Sequence, residues 1–285
     1  MRKPSSFARR FIAGETVEEA IAAARAVEAR GLAISLDLLG ESVRNLQEAE
    51  AATKGYLAVI DAIIDSGIER NVSLKLTQLG LDVDKASAVD NLRKILERAD
   101  PAGFFVRIDM ENSPYTDVTL DIFETLWSHG HRRLGVVLQS ALYRSEDDAQ
   151  RVTALGARVR LVKGAYKEPK NVAHQAKADV DAEYARMMKR LLAEGTYPAI
   201  ATHDPEMIDL ARAFSRDHGI TSDRFEFQML YGVRRDLQAK LVAEGYRVRV
   251  YIPFGREWFP YFMRRLGERP ANIGFVVRGV LGERG

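Results

Sequence analysis

One arrangement recurs eight times along this chain of 285 residues: a stretch typical of a helix, then a glycine, then a short apolar run. A glycine just after a helix is the residue that most easily takes the left-handed conformation that ends it. The glycines stand at 31, 67, 103, 130, 156, 195, 219 and 245, at intervals of 24–39 residues. The runs that follow them are LAISLDLL, NVSLKL, FFVRID, LGVVLQ, RVRLVK, PAIATH, FEFQML and RVRVYI.

Most of these apolar runs lack strict alternation of apolar and polar residues, which indicates strands that are buried on both faces. Strands of this kind that alternate with helices form parallel sheets. Eight such units favour an α/β fold with a closed (β/α)8 TIM-type barrel, and an open doubly wound sheet is the alternative. No Pro-rich or Ser-rich linker divides the sequence, so we expect a single domain over residues 1–285.

A further helix is predicted before the first strand. Thr16 and Glu19 form an S/T-x-x-E capping box, and the Ala-rich and Glu-rich residues after it predict a helix over residues 16–30. Gly31 follows at the position where a left-handed residue would end this helix. The barrel is therefore expected to carry an N-terminal helix.

A C-terminal helix is predicted after the eighth run, in the sequence WFPYFMRRLGERP at 258–270. At 100° per residue, about a third of its circumference carries Tyr261, Arg264, Arg265 and Glu268. Two adjacent guanidinium groups suit a carboxylate or a phosphate, and the glutamate could hold one of them in place. The alternative is an exposed Arg–Glu pair of little energetic value.

Composition excludes several classes of protein. The 42 basic and 40 acidic side chains nearly cancel, so no overall field attracts nucleic acid or an anionic membrane. The absence of cysteine excludes disulfides, thiolate metal ligands and cysteine nucleophiles. No apolar run approaches the roughly 20 residues that cross a bilayer. We expect a cytoplasmic protein with no nucleic-acid partner and at most peripheral membrane association at the inner face.

Polar side chains end most of the apolar runs, at the positions from which a barrel takes its catalytic groups. They are Asp37, Lys75, Asp109, Gln139, Lys163, Thr202 with His203, and Tyr251, while the seventh run ends in Gln228, Met229, Leu230 and Tyr231. No dinucleotide-binding glycine motif or P-loop is present. The five histidines lack the spacing of metal ligands, so we expect no metal site. Lys163 would also suit a Schiff-base lysine, as in barrel aldolases.

Several motifs together resemble the motif set of the proline dehydrogenase family. They are RLVKGAY (160–166), ATHD (201–204), EFQMLYG (226–232), YIPFG (251–255) and YFMRRLGE (261–268), with SLKLTQLG (73–80) and IDMEN (108–112) in the same order. The resemblance runs from roughly residue 7 to the end of the chain. It implies FAD-dependent oxidation of L-proline to Δ1-pyrroline-5-carboxylate, with a hydride passing from proline C5 to flavin N5.

The resemblance also implies a role for each matching residue. The substrate site would be formed by Lys75, Leu230, Tyr251, Tyr261, Arg264, Arg265 and Glu268. The FAD contacts would come from Met110, Gln139, Arg160, Lys163, Gly164, Ala165, Thr202 and His203. Arg160, paired with Asp109, would lie near flavin N5, and we expect this pair to be catalytic. Arg264 and Arg265 would bind the proline carboxylate, with Glu268 supporting them.

Partners are implied by the family as well. Electrons would pass to a quinone or another acceptor, and a separate pyrroline-5-carboxylate dehydrogenase would complete the oxidation to glutamate. No aldehyde dehydrogenase module or ribbon-helix-helix segment is found, so we expect a stand-alone enzyme. No long amphipathic helix marks a membrane-docking surface. FMN in place of FAD, an aldolase-like barrel based on Lys163 and a non-catalytic barrel that binds a small carboxylate are the alternatives.

Overall fold

Eight parallel strands close into a ring in the computed structural model of this protein, which describes residues 8–267. The strands are β1 (Ala33–Leu38), β2 (Asn71–Leu74), β3 (Phe105–Ile108), β4 (Leu134–Gln139), β5 (Arg158–Val162), β6 (Ala199–Ala201), β7 (Glu226–Leu230) and β8 (Val248–Phe254). Each strand pairs with the next, and β8 pairs with β1 over six residues. The predicted barrel is confirmed, and the open sheet is wrong.

Helices lie before, between and after these strands. They are α1 (Val17–Glu28), α2 (Leu46–Ser66), α3 (Lys85–Ala99), α4 (Thr116–Ser128), α5 (Ser145–Ala154), α6 (Lys177–Glu194), α7 (Pro205–Asp217), α8 (Arg235–Ala243) and α9 (Trp258–Gly267). Residues 268–270 of the predicted C-terminal helix lie outside the described residues. Within residues 8–267, no helix is both long enough and apolar enough to cross a membrane.

The predicted N-terminal helix forms as α1, and its capping box is present. The Thr16 hydroxyl accepts from the Glu19 backbone N–H, and the Glu19 carboxylate accepts from the Thr16 backbone N–H, each at 3.3 Å. The helix ends at Glu28 rather than residue 30, and the chain reaches the left-handed conformation only at Gly31, where φ is 75°. Its buried residues Ala20, Ala24 and Val27 belong to the main apolar core.

The glycines before the strands follow the predicted conformation with one exception. Seven of them have φ between 66° and 100°, which is the left-handed region. Gly195, at the end of α6, instead has φ of −79°. A Cβ atom at this position would lie 2.5 Å from the carbonyl oxygen of Leu191, so the residue must be small rather than left-handed.

The barrel interior is polar, which the apolar runs did not predict. Side chains alternate along a strand, so every second residue of a barrel strand faces the interior of the ring. Five polar side chains on β3, β5, β7 and β8 are each at most 8% exposed: Arg107, Arg160, Glu226, Gln228 and Arg249. Barrels of this type are usually filled by branched apolar side chains. Here a hydrogen-bonded network takes their place.

Candidate active site

A cavity of about 420 Å³ lies at the carboxyl ends of the strands, where barrel enzymes have their active sites. Every residue that the family resemblance assigned to the site, and that the structure describes, lines it, whereas the strand-end candidates Asp37 and Tyr231 do not. The assigned residues that line it are Lys75, Asp109, Met110, Gln139, Arg160, Lys163, Gly164, Ala165, Thr202, His203, Leu230, Tyr251, Tyr261, Arg264 and Arg265. Glu268 lies outside the described residues. The structure thus brings the predicted residues together, while their individual roles stay predictions.

Asp109 joins two neighbours at the centre of the cavity. Its Oδ1 accepts from Nη1 of Arg160 at 2.7 Å, and its Oδ2 accepts from the Tyr251 hydroxyl at 2.8 Å. The Arg160 guanidinium also lies over the Tyr251 ring, 5.3 Å from its centroid. Burial and the nearby Asp109 carboxylate raise the pKa of Tyr251 well above its ordinary value, so its hydroxyl keeps its proton.

Lys75 brings a positive charge to the cavity from the end of β2. Its Nζ lies 3.5 Å from Oδ1 of Asp37, a fully buried carboxylate at the end of β1. Burial alone would lower the pKa of Lys75, but Asp37, Asp109 and Glu111 outweigh it and raise that pKa. Lys75 therefore remains a cation at neutral pH. Burial also raises the pKa of Asp37.

Helix α9 carries the two predicted carboxylate-binding arginines. Its Tyr261 and Phe262 pack into a small apolar cluster with Phe11, which fixes the helix over the barrel mouth. Arg264 donates from Nη1 to Oε1 of Glu41 at 2.8 Å. The Arg265 guanidinium lies 5.2 Å from the centroid of the Tyr261 ring, a cation–π contact. Both guanidinium groups line the same cavity.

Lys163 is held by two carboxylates that sequence reasoning had not assigned to it. Its Nζ lies 2.6 Å from Asp181 on α6 and 2.8 Å from Asp204, which caps α7. Burial would raise the pKa of both acids, but the ammonium of Lys163 reverses this and lowers them. The Lys163 Nζ is thus engaged in two ion pairs rather than free to attack a carbonyl carbon. This arrangement disfavours the Schiff-base alternative.

His203 has a structural hydrogen bond within the cavity wall. Its Nε2 accepts from the backbone N–H of Leu230 at 2.9 Å, which links the end of β6 to the end of β7. This nitrogen is therefore not available to a metal ion. Across residues 8–267, no group of three or more histidine or acidic side chains is arranged to hold a metal.

Several residues that contribute to the site were not assigned from the sequence, among them Glu41, Asp181, Asp204 and Gln228. Glu41 lies in the loop after β1, and Asp181 lies on a helix, so neither stands at a strand end. Gln228 stands two residues before Leu230 in the motif EFQML, and this spacing of two places both side chains on one face of β7. Of Glu41, Asp181 and Gln228, only Gln228 could have been predicted from the sequence, through its spacing from Leu230.

The fold and this cavity define a TIM-type barrel with a strongly cationic pocket at the carboxyl ends of its strands. A family model described as proline dehydrogenase matches residues 20–278. Proline dehydrogenase of Deinococcus radiodurans is 45% identical over 284 residues, covering 98% of this chain and 92% of that protein. Proline dehydrogenase 2 of Bacillus subtilis strain 168 is 43% identical over 273 residues, covering 96% and 90%. The chain belongs to the proline dehydrogenase family, as its motifs predicted.

A solved structure agrees with this relationship. Proline utilization A (PutA) from Bdellovibrio bacteriovorus, inactivated by N-propargylglycine, superimposes with a TM-score of 0.85 at 27% identity. The match covers 91% of this chain and 32% of that chain. This protein thus spans about a third of the length of that relative.

Proposed function

We propose that this protein is an FAD-dependent enzyme that oxidises L-proline to Δ1-pyrroline-5-carboxylate. The proposal rests on one cavity, in which Lys75, Arg264 and Arg265 lie beside the Arg160–Asp109 pair. The chain that forms this cavity belongs to the proline dehydrogenase family. Cations suit the carboxylate of an amino acid, and the arginine–aspartate pair lies where the strands end.

The cationic side of the cavity would bind the substrate carboxylate. Arg264 and Arg265 are adjacent on α9, and Lys75 approaches the same cavity from the barrel. Arg264 is paired with Glu41 at 2.8 Å, so a bound carboxylate would compete with Glu41 for this guanidinium. Glu268 is proposed to support the arginines, as the family resemblance implies. Binding then exchanges one ion pair for another.

The proline ring would lie against Leu230, Tyr251 and Tyr261. The hydrogen bond from Tyr251 to Asp109 fixes the position of the Tyr251 ring. A ring held in this way limits the space beside bound proline, so a hydroxyl group on the proline ring would make binding less favourable. Tyr251 is therefore proposed as a determinant of specificity.

The reaction breaks the C5–H bond of proline and forms a C5–N double bond, so the substrate loses a hydride from C5 and a proton from nitrogen. Arginines that anchor the carboxylate fix the direction in which C5 points. The amine must be neutral, because a protonated nitrogen has no lone pair to form the double bond. The Asp109 carboxylate is held by Arg160 and Tyr251, and we assign the proton to solvent.

FAD, when bound, would supply the hydride acceptor, and the β4 to β6 side of the cavity fits such a group. At Gly164, φ is 115° and a Cβ atom would lie 3.1 Å from Oε1 of Gln139, so the backbone passes close to the cavity wall. Amide, hydroxyl and ammonium groups here suit ring heteroatoms and phosphates. The holding residues would be Met110, Gln139, Arg160, Lys163, Gly164, Ala165, Thr202 and His203.

The remaining partners are proposed from the family resemblance. They are a quinone or another electron acceptor, reached by a cytoplasmic enzyme with at most peripheral membrane association, and a separate pyrroline-5-carboxylate dehydrogenase.

The proposal is tested by product analysis. The purified protein is loaded with FAD, or with FMN in parallel, and incubated with L-proline and a dye that accepts electrons. We expect a product lighter than proline by two hydrogen atoms, formed in equal amount to the reduced dye. Absence of this product, together with a borohydride-trapped adduct on Lys163, would overturn the proposal in favour of aldolase-like chemistry.

A further inference from the structure

A chain of buried hydrogen bonds connects the interior of the barrel to Arg160, and the mechanism above does not use it. Arg249 on β8 donates to both oxygens of Glu226, from Nε at 2.7 Å and from Nη2 at 3.0 Å. The Gln228 side-chain amide donates to Oε1 of Glu226. The carbonyl oxygen of the same amide accepts from Nε of Arg160. The chain therefore ends at the cavity.

The orientation of the Gln228 amide is fixed by the charges at its two ends. Glu226 can only accept hydrogen bonds when ionised, and the Arg160 guanidinium can only donate them. The NH2 end of the amide must therefore face Glu226 and its oxygen must face Arg160. The reversed amide would place donor against donor and acceptor against acceptor. Glu226 and Gln228 are 3% and 4% exposed, so water cannot readily compensate for that reversal.

Glu226 is held in its ionised form by Arg249. Burial would raise the pKa of Glu226, but Arg249 and the hydrogen bonds from Arg249 and Gln228 lower it overall. The opposite charge of Arg249 also compensates the charge of Glu226 within the barrel. Glu226 thus determines the direction of the neighbouring amide.

Gln228 supplies one of three hydrogen bonds that hold the Arg160 guanidinium. The other two go from Nη1 to Asp109 at 2.7 Å and from Nη2 to Ser73 at 3.1 Å. The three nitrogen atoms of the guanidinium therefore each have a different acceptor. Loss of the acceptor at Nε would allow the guanidinium to turn about its remaining two contacts.

We propose that Gln228 and Glu226 are positioning residues for the oxidation: Glu226 orients the Gln228 amide, and Gln228 fixes the Arg160 guanidinium beside the cofactor. This inference rests on the proposed function, because it assigns Arg160 to the cofactor side of the cavity. It predicts an effect on the reacting centre from side chains that need not touch the substrate.

The test uses Gln228→Leu, which removes both hydrogen bonds at similar volume, and Gln228→Met as a second, more adaptable apolar replacement. Asn91→Leu is the matched control, because Asn91 on α3 is a buried amide that donates to the backbone carbonyl of Leu79 and does not line the cavity. Each protein is loaded with FAD. The midpoint potential of the flavin without proline, its rate of anaerobic reduction by saturating proline, the proline dissociation constant and the melting temperature are measured.

Both Gln228 variants should show a more negative midpoint potential, because a displaced guanidinium no longer stabilises added negative charge on the cofactor. The rate of reduction should fall roughly 10- to 100-fold, the scale of a small misplacement of a catalytic group. The proline dissociation constant should change much less than the rate. Asn91→Leu should alter the melting temperature alone.

The inference is overturned if a folded Gln228 variant keeps the wild-type potential and rate and loses only stability, as the control does. Failure of the proposed function is a separate result, in which proline does not reduce the flavin of the wild-type protein. The potential is measured without proline, so it still reports on the position of Arg160 in that case.

Discussion

Arg264 and Arg265 are the residues on which the substrate assignment depends. Replacing either with methionine keeps an unbranched side chain and removes a charge-assisted hydrogen bond to the carboxylate. We expect the proline dissociation constant to rise roughly 10- to 100-fold, with FAD still bound. Titration of the FAD-loaded variants with proline measures this. Arg256→Met, at an exposed position outside the cavity, is the control. Unchanged affinity in both cavity variants would refute the assignment of the carboxylate site.

Tyr251 combines two properties that substitution can separate. Tyr251→Phe removes the hydrogen bond to Asp109 and keeps the aromatic wall, whereas Tyr251→Ser removes both. We expect the serine variant to relax the preference for proline over hydroxyproline, because it opens space beside the ring, and the phenylalanine variant to retain most of it. The ratio of kcat/KM for the two substrates measures this preference. An equal ratio in wild type and Tyr251→Ser would exclude the specificity role.

Glu226 gives a prediction about pH. The pKa of Glu226 in the folded protein lies below its ordinary value of 4.5. The ionised carboxylate therefore stabilises the folded protein above pH 4.5, and this stabilisation is lost as pH falls through the lower pKa of the folded state. Glu226→Gln should cost up to about 3–5 kcal/mol at pH 7, because Arg249 loses its buried carboxylate partner and keeps only the more exposed Glu69, at 2.8 Å. The difference from wild type should narrow below pH 4.5.

Denaturant unfolding across this pH range measures the effect. Glu97→Gln, at an exposed ion pair on α3, is the control and should stay within about 0.5 kcal/mol of wild type at pH 7. A difference for Glu226→Gln that stayed constant from neutral to acid pH would contradict the account.

Among single residues, the sequence predicted best those that stand at strand ends within recognisable motifs. Lys75, Asp109 and Tyr251 were found because parallel strands bring their carboxyl ends to one side. Glu41 and Asp181 were missed, because each meets its cationic partner through a loop or helix position that only the folded chain defines. The pairing of Lys163 with two carboxylates was likewise invisible in its local sequence.

At the scale of secondary structure, the sequence encodes the ends of the helices most clearly, through the glycine that precedes each strand. Gly67 ends α2 with φ of 72°, and a Cβ atom there would meet no atom within 4 Å. Gly67→Ala should therefore cost about 1–2 kcal/mol of unfolding free energy through backbone strain alone. A thermal or denaturant unfolding experiment measures this cost, and a variant as stable as wild type would show that the helix end can rearrange.

Gly195 shows where this pattern is insufficient. The sequence places it in the same position as the other seven glycines, yet its backbone is not left-handed. The contact that requires glycine is with the Leu191 carbonyl of the preceding turn. Regularly spaced glycines reveal where helices end. They do not show whether a given glycine is required for its positive φ or because a Cβ atom would clash with a neighbouring group.

At the scale of the whole molecule, the barrel followed from eight repeated units, whereas its polar interior did not. Glu226, Gln228 and Arg249 were embedded in runs that were assigned as apolar strands, and their partners come from other strands far along the chain. Closure of the ring brings such partners together, so only the complete fold specifies the network. The organisation of residues 1–285 as one domain stays a prediction.

An anaerobic absorption spectrum shows whether this barrel uses bound FAD to oxidise L-proline. The protein is loaded with FAD, its spectrum is recorded without oxygen, and L-proline is added. We expect the visible flavin absorption to bleach with L-proline, and Arg264→Met to need a much higher proline concentration for the same bleaching. A protein that fails to bind FAD, or that binds it and keeps its full colour with saturating L-proline, would show that FAD-dependent oxidation of proline is not its function.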